Sequence, residues 1–213
     1  QGEAQPDWWI VSQIAKRLGF EGFDYESAAD VFNELCELSP IYNGLDWDRI
    51  DGAEYHWPVP DKDHPGTPRL HEAGFENGRG IFSCTEYRDP AETISDQYPL
   101  WLTTGRRLQS YHTHTQTGRA GGMEYLLPGE TLEMHPDDVS RLGLQDGAPC
   151  RISSPRGSVE INVKATAQSP PGTVFTSFSF KATPINALTG SGYDPITQTA
   201  ELKVCPVRVE PLS

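Results

Sequence analysis

The stretch Cys150-Arg151-Ile152-Ser153-Ser154-Pro155-Arg156-Gly157-Ser158-Val159-Glu160-Ile161-Asn162-Val163-Lys164-Ala165 decides the fold class of this chain. Its first four residues read as a strand, and Ser154-Pro155-Arg156-Gly157 as a hairpin loop. The returning segment alternates, with Val159, Ile161 and Val163 on one face and Glu160, Asn162 and Lys164 on the other, which is the period of a half-buried strand. Upstream, Asp146-Gly147 is a turn. His135-Pro136-Asp137-Asp138 places Pro at the first helical position and acids in the first turn of a short helix carrying Val139 and Leu142 and ending at Gly143. Leu100 to Thr103 is strand-like. Downstream, Gly172 leads into a strand over 173–180 whose Phe178 and Phe180 share a face, and a last strand has Val204 and Val207 about Pro206. Many short strands with one or two small helices point to a closed β-barrel rather than an open sheet.

The first part of the chain is different. Trp8, Val11, Ile14, Ala15 and Leu18 recur at helical spacing, predicting a helix that Gly19 ends and whose stripe faces a core. Ser27 with Asp30 at N3 predicts a capped second helix bearing Ala28, Val31, Phe32 and Leu35, stopped by Ser39-Pro40. Residues 41–99 are rich in Gly, Pro and Asp with isolated aromatics. The run from Trp57-Pro58-Val59-Pro60 through His64-Pro65-Gly66-Thr67-Pro68 reads as an extended connector. The boundary falls near residue 96, giving segments 1–96 and 97–213. The class is mixed α/β to mainly β.

Composition narrows the function. The net charge of −13 excludes a nonspecific nucleic-acid binder, which needs a basic face. No apolar run is long enough to be a transmembrane segment. The N-terminus has no initiator Met and suggests a cut or matured end; the compartment stays open, cytoplasmic favoured over periplasmic. Cys36, Cys84, Cys150 and Cys205 lie too far apart for an iron–sulfur or zinc motif and read as small buried thiols. There is no P-loop, no G-x-G-x-x-G and no G-x-S-x-G.

One window breaks the acidic pattern. Although the chain has 30 Asp and Glu residues, none lies between Gln97 and Met123, where Arg106, Arg107 and Arg119 stand among many hydroxyls. Thr103-Thr104-Gly105 places a glycine where backbone N–H groups can approach an oxyanion, and the arginines that follow can grip phosphate. The same residues also suit a solvated basic turn. His112 and His114, two apart on an extended chain, project to one side, either as part of a polar groove with Thr113, Thr115 and Thr117 or as two zinc ligands without an obvious third. Asn186 and Lys203 put an amide and a cation among apolar neighbours near the end of the chain. His56, His64, His71 and His135 read as structural or solvent-facing, His135 as a helix cap.

Taken in order, these segments resemble the C-terminal region of the molybdopterin oxidoreductases, the family of dimethyl sulfoxide reductase, periplasmic nitrate reductase and formate dehydrogenase. The matching motifs are Thr104-Gly105-Arg106, Tyr111-His112-Thr113, His135-Pro136-Asp137-Asp138, Gly143-Leu144-Gln145-Asp146-Gly147, Asn186-Ala187-Leu188-Thr189, Asp194-Pro195-Ile196-Thr197 and Lys203. The close of the chain looks most like formate dehydrogenase α (large) subunits. So do the Asp7-Trp8-Trp9-Ile10 helix, the Ser39-Pro40-Ile41-Tyr42-Asn43-Gly44-Leu45 loop and the His64-Pro65-Gly66-Thr67-Pro68 run.

The resemblance implies a double-psi β-barrel that binds a molybdopterin guanine dinucleotide, one of two carrying molybdenum or tungsten. Thr104, Gly105, Arg106, Arg107, Gln109, Tyr111, His112 and Thr113 would wrap it, Phe178 would border the funnel to the metal, and Asn186 and Lys203 would fix pterin polar atoms. The metal ligand, the catalytic residues and an iron–sulfur cluster would lie outside this chain, in the remainder of the large subunit. Formate would be the substrate, and an iron–sulfur electron-transfer subunit a partner. One departure is that Thr113-His114-Thr115-Gln116-Thr117-Gly118-Arg119 replaces the Thr-Gly-x-Met-Thr common in nitrate reductases and many formate dehydrogenases. The alternatives are a sibling acting on nitrate, a sulfur oxyanion or formylmethanofuran, and a stand-alone barrel used for protein recognition.

Overall fold

A computed structural model describes residues 2–212. The chain forms two compact units that divide between Cys84 and Thr85.

In the first unit, α1 spans Asp7–Arg17, α2 Ala28–Leu38 and α3 Trp47–Asp51. The capping box at Ser27 is present: its hydroxyl accepts from Asp30 N–H, and the Asp30 carboxylate accepts from Ser27 N–H. Helix α1 lies where its spacing put it, but its stripe does not face a core. Ser12 and Ala15 are buried, whereas Ile10, Val11, Ile14 and Leu18 look outward, Leu18 at 70% exposure. The four share one arc of the helix, turned away from the buried edge. Leu35 of α2 is likewise exposed.

The small core of this unit is Cys36, Leu45 and Val59, packed by Phe32, Tyr42, Ile50 and Tyr55. Val59 is there because the supposed connector folds back. Its N–H donates to Ile41 O at 2.7 Å and its carbonyl accepts from Gly44 N–H at 2.7 Å. That approach needs a glycine at 44, where a Cβ would lie 2.0 Å from Asp61 O. Arg49 closes the fold, donating to Gly44 O and His64 O and stacking on the Tyr55 ring. Residues 57–68 are therefore part of this unit and not a free connector.

The second unit holds the barrel. Its strands are β1 (Leu100–Gly105), β2 (Thr131–Met134), β3 (Pro149–Ser154), β4 (Gly157–Ala165), β5 (Thr173–Ser177) and β6 (Cys205–Pro211), closed in the order β1-β5-β2-β4-β3-β6. The pairs β1/β5 and β2/β4 are parallel; the other contacts are antiparallel. Closure leaves no free edge. The hairpin is in the expected register, with Ser154 opposite Gly157 and Ile152 opposite Val159. The predicted alternation holds, since Val159, Ile161 and Val163 enter a core that also contains Leu102, Leu132, Met134, Val174 and Val207. Truncating a fully buried Leu132 to Ala would cost about 2–5 kcal/mol.

Two short helices sit between strands: α4 (Met123–Leu126) and α5 (Pro136–Arg141). His135 caps α5, its Nδ1 accepting from Asp137 N–H at 3.2 Å. Strand β5 stops at Ser177 rather than running to Phe180, because its partner β1 ends opposite at Gly105. Three thiols are buried, but Cys84 is exposed, against the expectation for it.

Candidate functional site

The site is built where β1 and β5 run out side by side. Beyond Gly105 the chain makes a long excursion before returning as β2, and beyond Ser177 residues 178–180 pack against that excursion. Phe178, the first residue past β5, becomes the meeting point. The His112 ring packs against it at 5.5 Å between centroids, Arg106 lies 5.8 Å from its centre and the Lys203 ammonium 6.0 Å. A cleft of about 340 Å³ adjoins it, lined by Thr113, Thr115, Phe178, Phe180, Lys181, Pro184, Ile185 and Asn186. Arg106, His112, Thr113, Phe178, Asn186 and Lys203, drawn from three distant segments, therefore share one surface.

The other expected site residues do different work. Thr104 is buried, donating its hydroxyl to Leu202 O at 2.7 Å, while its carbonyl accepts from Lys203 Nζ at 3.0 Å. It ties the end of β1 to the segment that carries Lys203. Gly105 is required by packing, since an added Cβ would stand 2.6 Å from the Phe175 ring. Arg107 turns away from the groove. It donates to Glu130 through Nε and Nη2, at 3.2 and 2.7 Å, and to Glu133 through Nη1 at 2.6 Å, and it stacks on Phe175. Gln109 and Tyr111 are exposed on the loop; the Tyr111 N–H donates to Thr117 Oγ1 at 2.9 Å.

The Arg107 cluster is a frame for the loop. Burial weakens the guanidinium's hold on its proton, but Glu130 and Glu133 outweigh that and push its pKa up. Burial raises the Glu133 carboxyl, yet Arg107 and Lys164 hold it below the ordinary range. The Glu130 carboxylate also accepts from Ser177 Oγ, Ser177 Oγ accepts from Ser179 N–H, and Ser179 Oγ donates to His112 O at 3.2 Å. The loop is thus pinned at Arg107 and again at His112.

From His112 onward the backbone is a run of turns, not the extended chain expected. His112 and His114 have φ of 49° and 63°, a region non-glycine residues enter at a cost of the order of 1–3 kcal/mol. These two left-handed positions, separated by Thr113, accompany one imidazole against Phe178 and the other against Phe180, where His114 also meets Ser110 Oγ at 2.9 Å. Sequence gave no sign of Glu130 or Glu133. Carboxylates in or beside a short strand usually face water, and it is their burial and their contacts with Arg107 that show these do not.

The model of the molydopterin dinucleotide binding domain matches residues 100–206, from the first residue of β1 into β6 and just over half of the chain. The chain belongs to this molybdopterin dinucleotide-binding family. Among relatives, an F420-dependent formate dehydrogenase 2 subunit alpha of Methanococcus maripaludis is 38% identical over 98% of this chain and 31% of its own length. An assimilatory nitrate reductase catalytic subunit of Bacillus subtilis is 36% identical over 99% of this chain and 31% of its own length. The chain therefore spans about a third of such relatives. A solved acetylene hydratase from Pelobacter acetylenicus has the same fold at a TM-score of 0.63, with 16% identity over 99% of this chain and 33% of that one.

The Phe178 surface fits the group that a molybdopterin dinucleotide-binding domain holds. Such a ligand combines a flat polar heterocycle with phosphates. The cleft offers an aromatic wall, hydroxyls and an amide, with no carboxylate in its lining. Among the described residues, the ion pairs near the site are those of Arg107 and Lys164, which leaves Arg106 and Lys203 uncompensated beside Phe178. Among the described residues, two cations without a carboxylate partner in a chain of net charge −13 suit an anion.

Proposed function

We propose that this chain is the cofactor-closing C-terminal region of a formate dehydrogenase large subunit, holding one molybdopterin guanine dinucleotide on the Phe178 surface. The observation that carries this reading is the convergence of Arg106, His112 and Lys203 on Phe178, next to the cleft lined by Thr113 and Asn186. Arg106 and Lys203 neutralise anionic groups of the dinucleotide. The Asn186 amide, with donor and acceptor side by side, and the Thr113 hydroxyl fix polar edges of the heterocycle, and Phe178 walls the path toward the metal.

The cofactor supplies a molybdenum or tungsten centre able to take two electrons, and the reaction is HCOO⁻ → CO2 + H⁺ + 2e⁻. The metal ligand and an iron–sulfur cluster are assigned to the remainder of the subunit, and onward electron transfer to an iron–sulfur partner. What this chain does is hold and orient: the pinned loop presents His112 and Thr113, while Lys203 is braced on the Thr104 carbonyl.

The reading is tested by producing the complete large subunit containing this region and assaying formate oxidation together with guanine nucleotide released by acid. Alanine at Asn186 or Lys203 should reduce both. A complex that carries no guanine nucleotide would contradict the reading. A second reading, nitrate as substrate, is favoured by the 36% identity to the B. subtilis nitrate reductase subunit. Reduction of nitrate without oxidation of formate by the same complex would select it.

A further inference from the structure

The hairpin that decided the fold carries at its tip a residue that sequence reading treated as a loop element. Arg156 folds across the barrel wall and grips three segments at once. Its Nε and Nη2 donate to Leu188 O at 3.0 and 2.9 Å, and Nη1 and Nη2 donate to the two oxygens of Glu92 at 2.5 and 2.9 Å. Nη2 also lies 3.3 Å from Cys205 Sγ, and that thiol donates to the same Leu188 carbonyl at 3.0 Å. One carbonyl thus receives an arginine fork and a thiol, while a carboxylate holds the fork from its other side.

The N–H of the same residue closes the 3-10 turn Ile185–Ala187 by donating to Ile185 O at 2.9 Å, and that turn carries Asn186 in the lining of the cleft; the Leu188 carbonyl is the first acceptor past it. Ile185 and Leu188, on either side, are 1% and 0% exposed, so their side chains anchor the turn in the barrel core. Side-chain burial fixes where the turn sits. Within it, Ala187 N–H donates to Pro184 O and the Thr189 hydroxyl to Asn186 O, so the turn moves as a unit whose tilt, and with it the direction of Asn186, depends on what holds the Leu188 carbonyl. A bidentate, planar contact to Leu188 O supplies that constraint, since a guanidinium fork is directional in a way a single ammonium is not.

We infer that Arg156, held by Glu92, is a positioning residue for Asn186, acting through the Leu188 carbonyl to aim the amide at the pterin. The inference rests on the proposed function for the ligand, while Arg156 and Glu92 themselves lie outside the Phe178 surface. It separates charge from geometry: lysine at 156 keeps the charge and loses the fork.

The experiment uses the complete cofactor-loaded large subunit in Asn186→Ala, Arg156→Met, Arg156→Lys and Arg156→Met/Asn186→Ala forms. Dinucleotide retained after exhaustive dialysis and hydrogen exchange at residues 185–189 are measured in each. Loss of one well-placed hydrogen bond corresponds to about a fivefold faster loss of dinucleotide in N186A. R156M should match it, R156K should fail to restore retention, and the double variant should be no worse than N186A alone. Exchange at 185–189 should rise in R156M and R156K, with β2 and β4 amides unchanged. Additive losses in the double variant, or full retention in R156K, would overturn the inference. An N186A protein that keeps its dinucleotide as the parent does would instead overturn the proposed function. Should R156M unfold the barrel, Glu92→Gln loosens the fork with Arg156 in place. It must then show faster dinucleotide loss that is non-additive with N186A, and unchanged retention in E92Q would count against the inference.

Discussion

Arg107→Met separates the two roles available to that residue, phosphate grip or internal frame. Its guanidinium is bound to Glu130, whose side chain is 0% exposed, and to Glu133, at 10%. Removing the arginine leaves Glu130 a buried carboxylate with only Ser177 Oγ and the Thr131 N–H as donors. Breaking one side of a buried pair costs about 3–5 kcal/mol. Lys164 remains beside Glu133 and arginine is 15% exposed, so the lower end, about 3 kcal/mol, is expected. With an m-value of about 2 kcal/mol/M, the urea midpoint of the barrel transition falls by about 1.5 M. Removing both partners, in Arg107→Met/Glu130→Met, should recover most of that loss, because the fully buried Glu130 charge goes with its partner while Glu133 keeps Lys164. The assay is urea unfolding of the whole chain followed by hydrogen exchange of β2 and β5 amides. An R107M protein as stable as the parent would refute the frame and return Arg107 to the solvent-facing grip that the Thr-Gly-Arg-Arg sequence suggests.

Thr176 is fully buried and its hydroxyl has no partner, so Thr176→Val should be neutral or stabilising by up to about 1 kcal/mol in thermal unfolding. A clear loss would reveal a role for that hydroxyl. Gly105→Ala places a Cβ against Phe175 and should cost about 1–3 kcal/mol by overpacking, with Gly105→Ala/Phe175→Leu relieving most of it in the same measurement. Burial raises the Asp138 carboxyl, but Arg141 and the Gly172 N–H outweigh it and hold its pKa below the ordinary range. A depressed folded value means this contribution is complete above the unfolded pKa of about 4 and is lost as pH falls through the folded value. Asp138→Asn should therefore lower stability at neutral pH and flatten the acid limb of a stability-against-pH curve, whereas an unchanged limb would contradict the assignment.

The barrel was readable because its signals are local. Alternation in 158–165, a proline and acids opening α5, and glycines at turns each depend on neighbours in sequence. Strand β2 escaped notice because it is only Thr131–Met134 and mixes a glutamate with apolar residues, so it has no period to detect. For the site, residue identities were legible and roles were not. Arg106 and Arg107 are adjacent and alike in sequence, yet one lies by Phe178 and the other is claimed by glutamates more than twenty positions away. The histidines were found through their spacing, but the left-handed backbone that separates their targets has no sequence signature in non-glycine residues. The same limit applies to α1. Its amphipathic pattern was correct, but a pattern cannot say which element covers the apolar arc.

The central claim is that the dinucleotide lies on the Phe178 surface, and a structure of the complete, cofactor-loaded large subunit tests it most directly. The account predicts pterin atoms within about 4.5 Å of the Phe178 ring, with Asn186 and Lys203 in hydrogen-bond reach of the same ligand. A dinucleotide bound elsewhere, with Arg106, His112 and Lys203 left facing solvent, would contradict it.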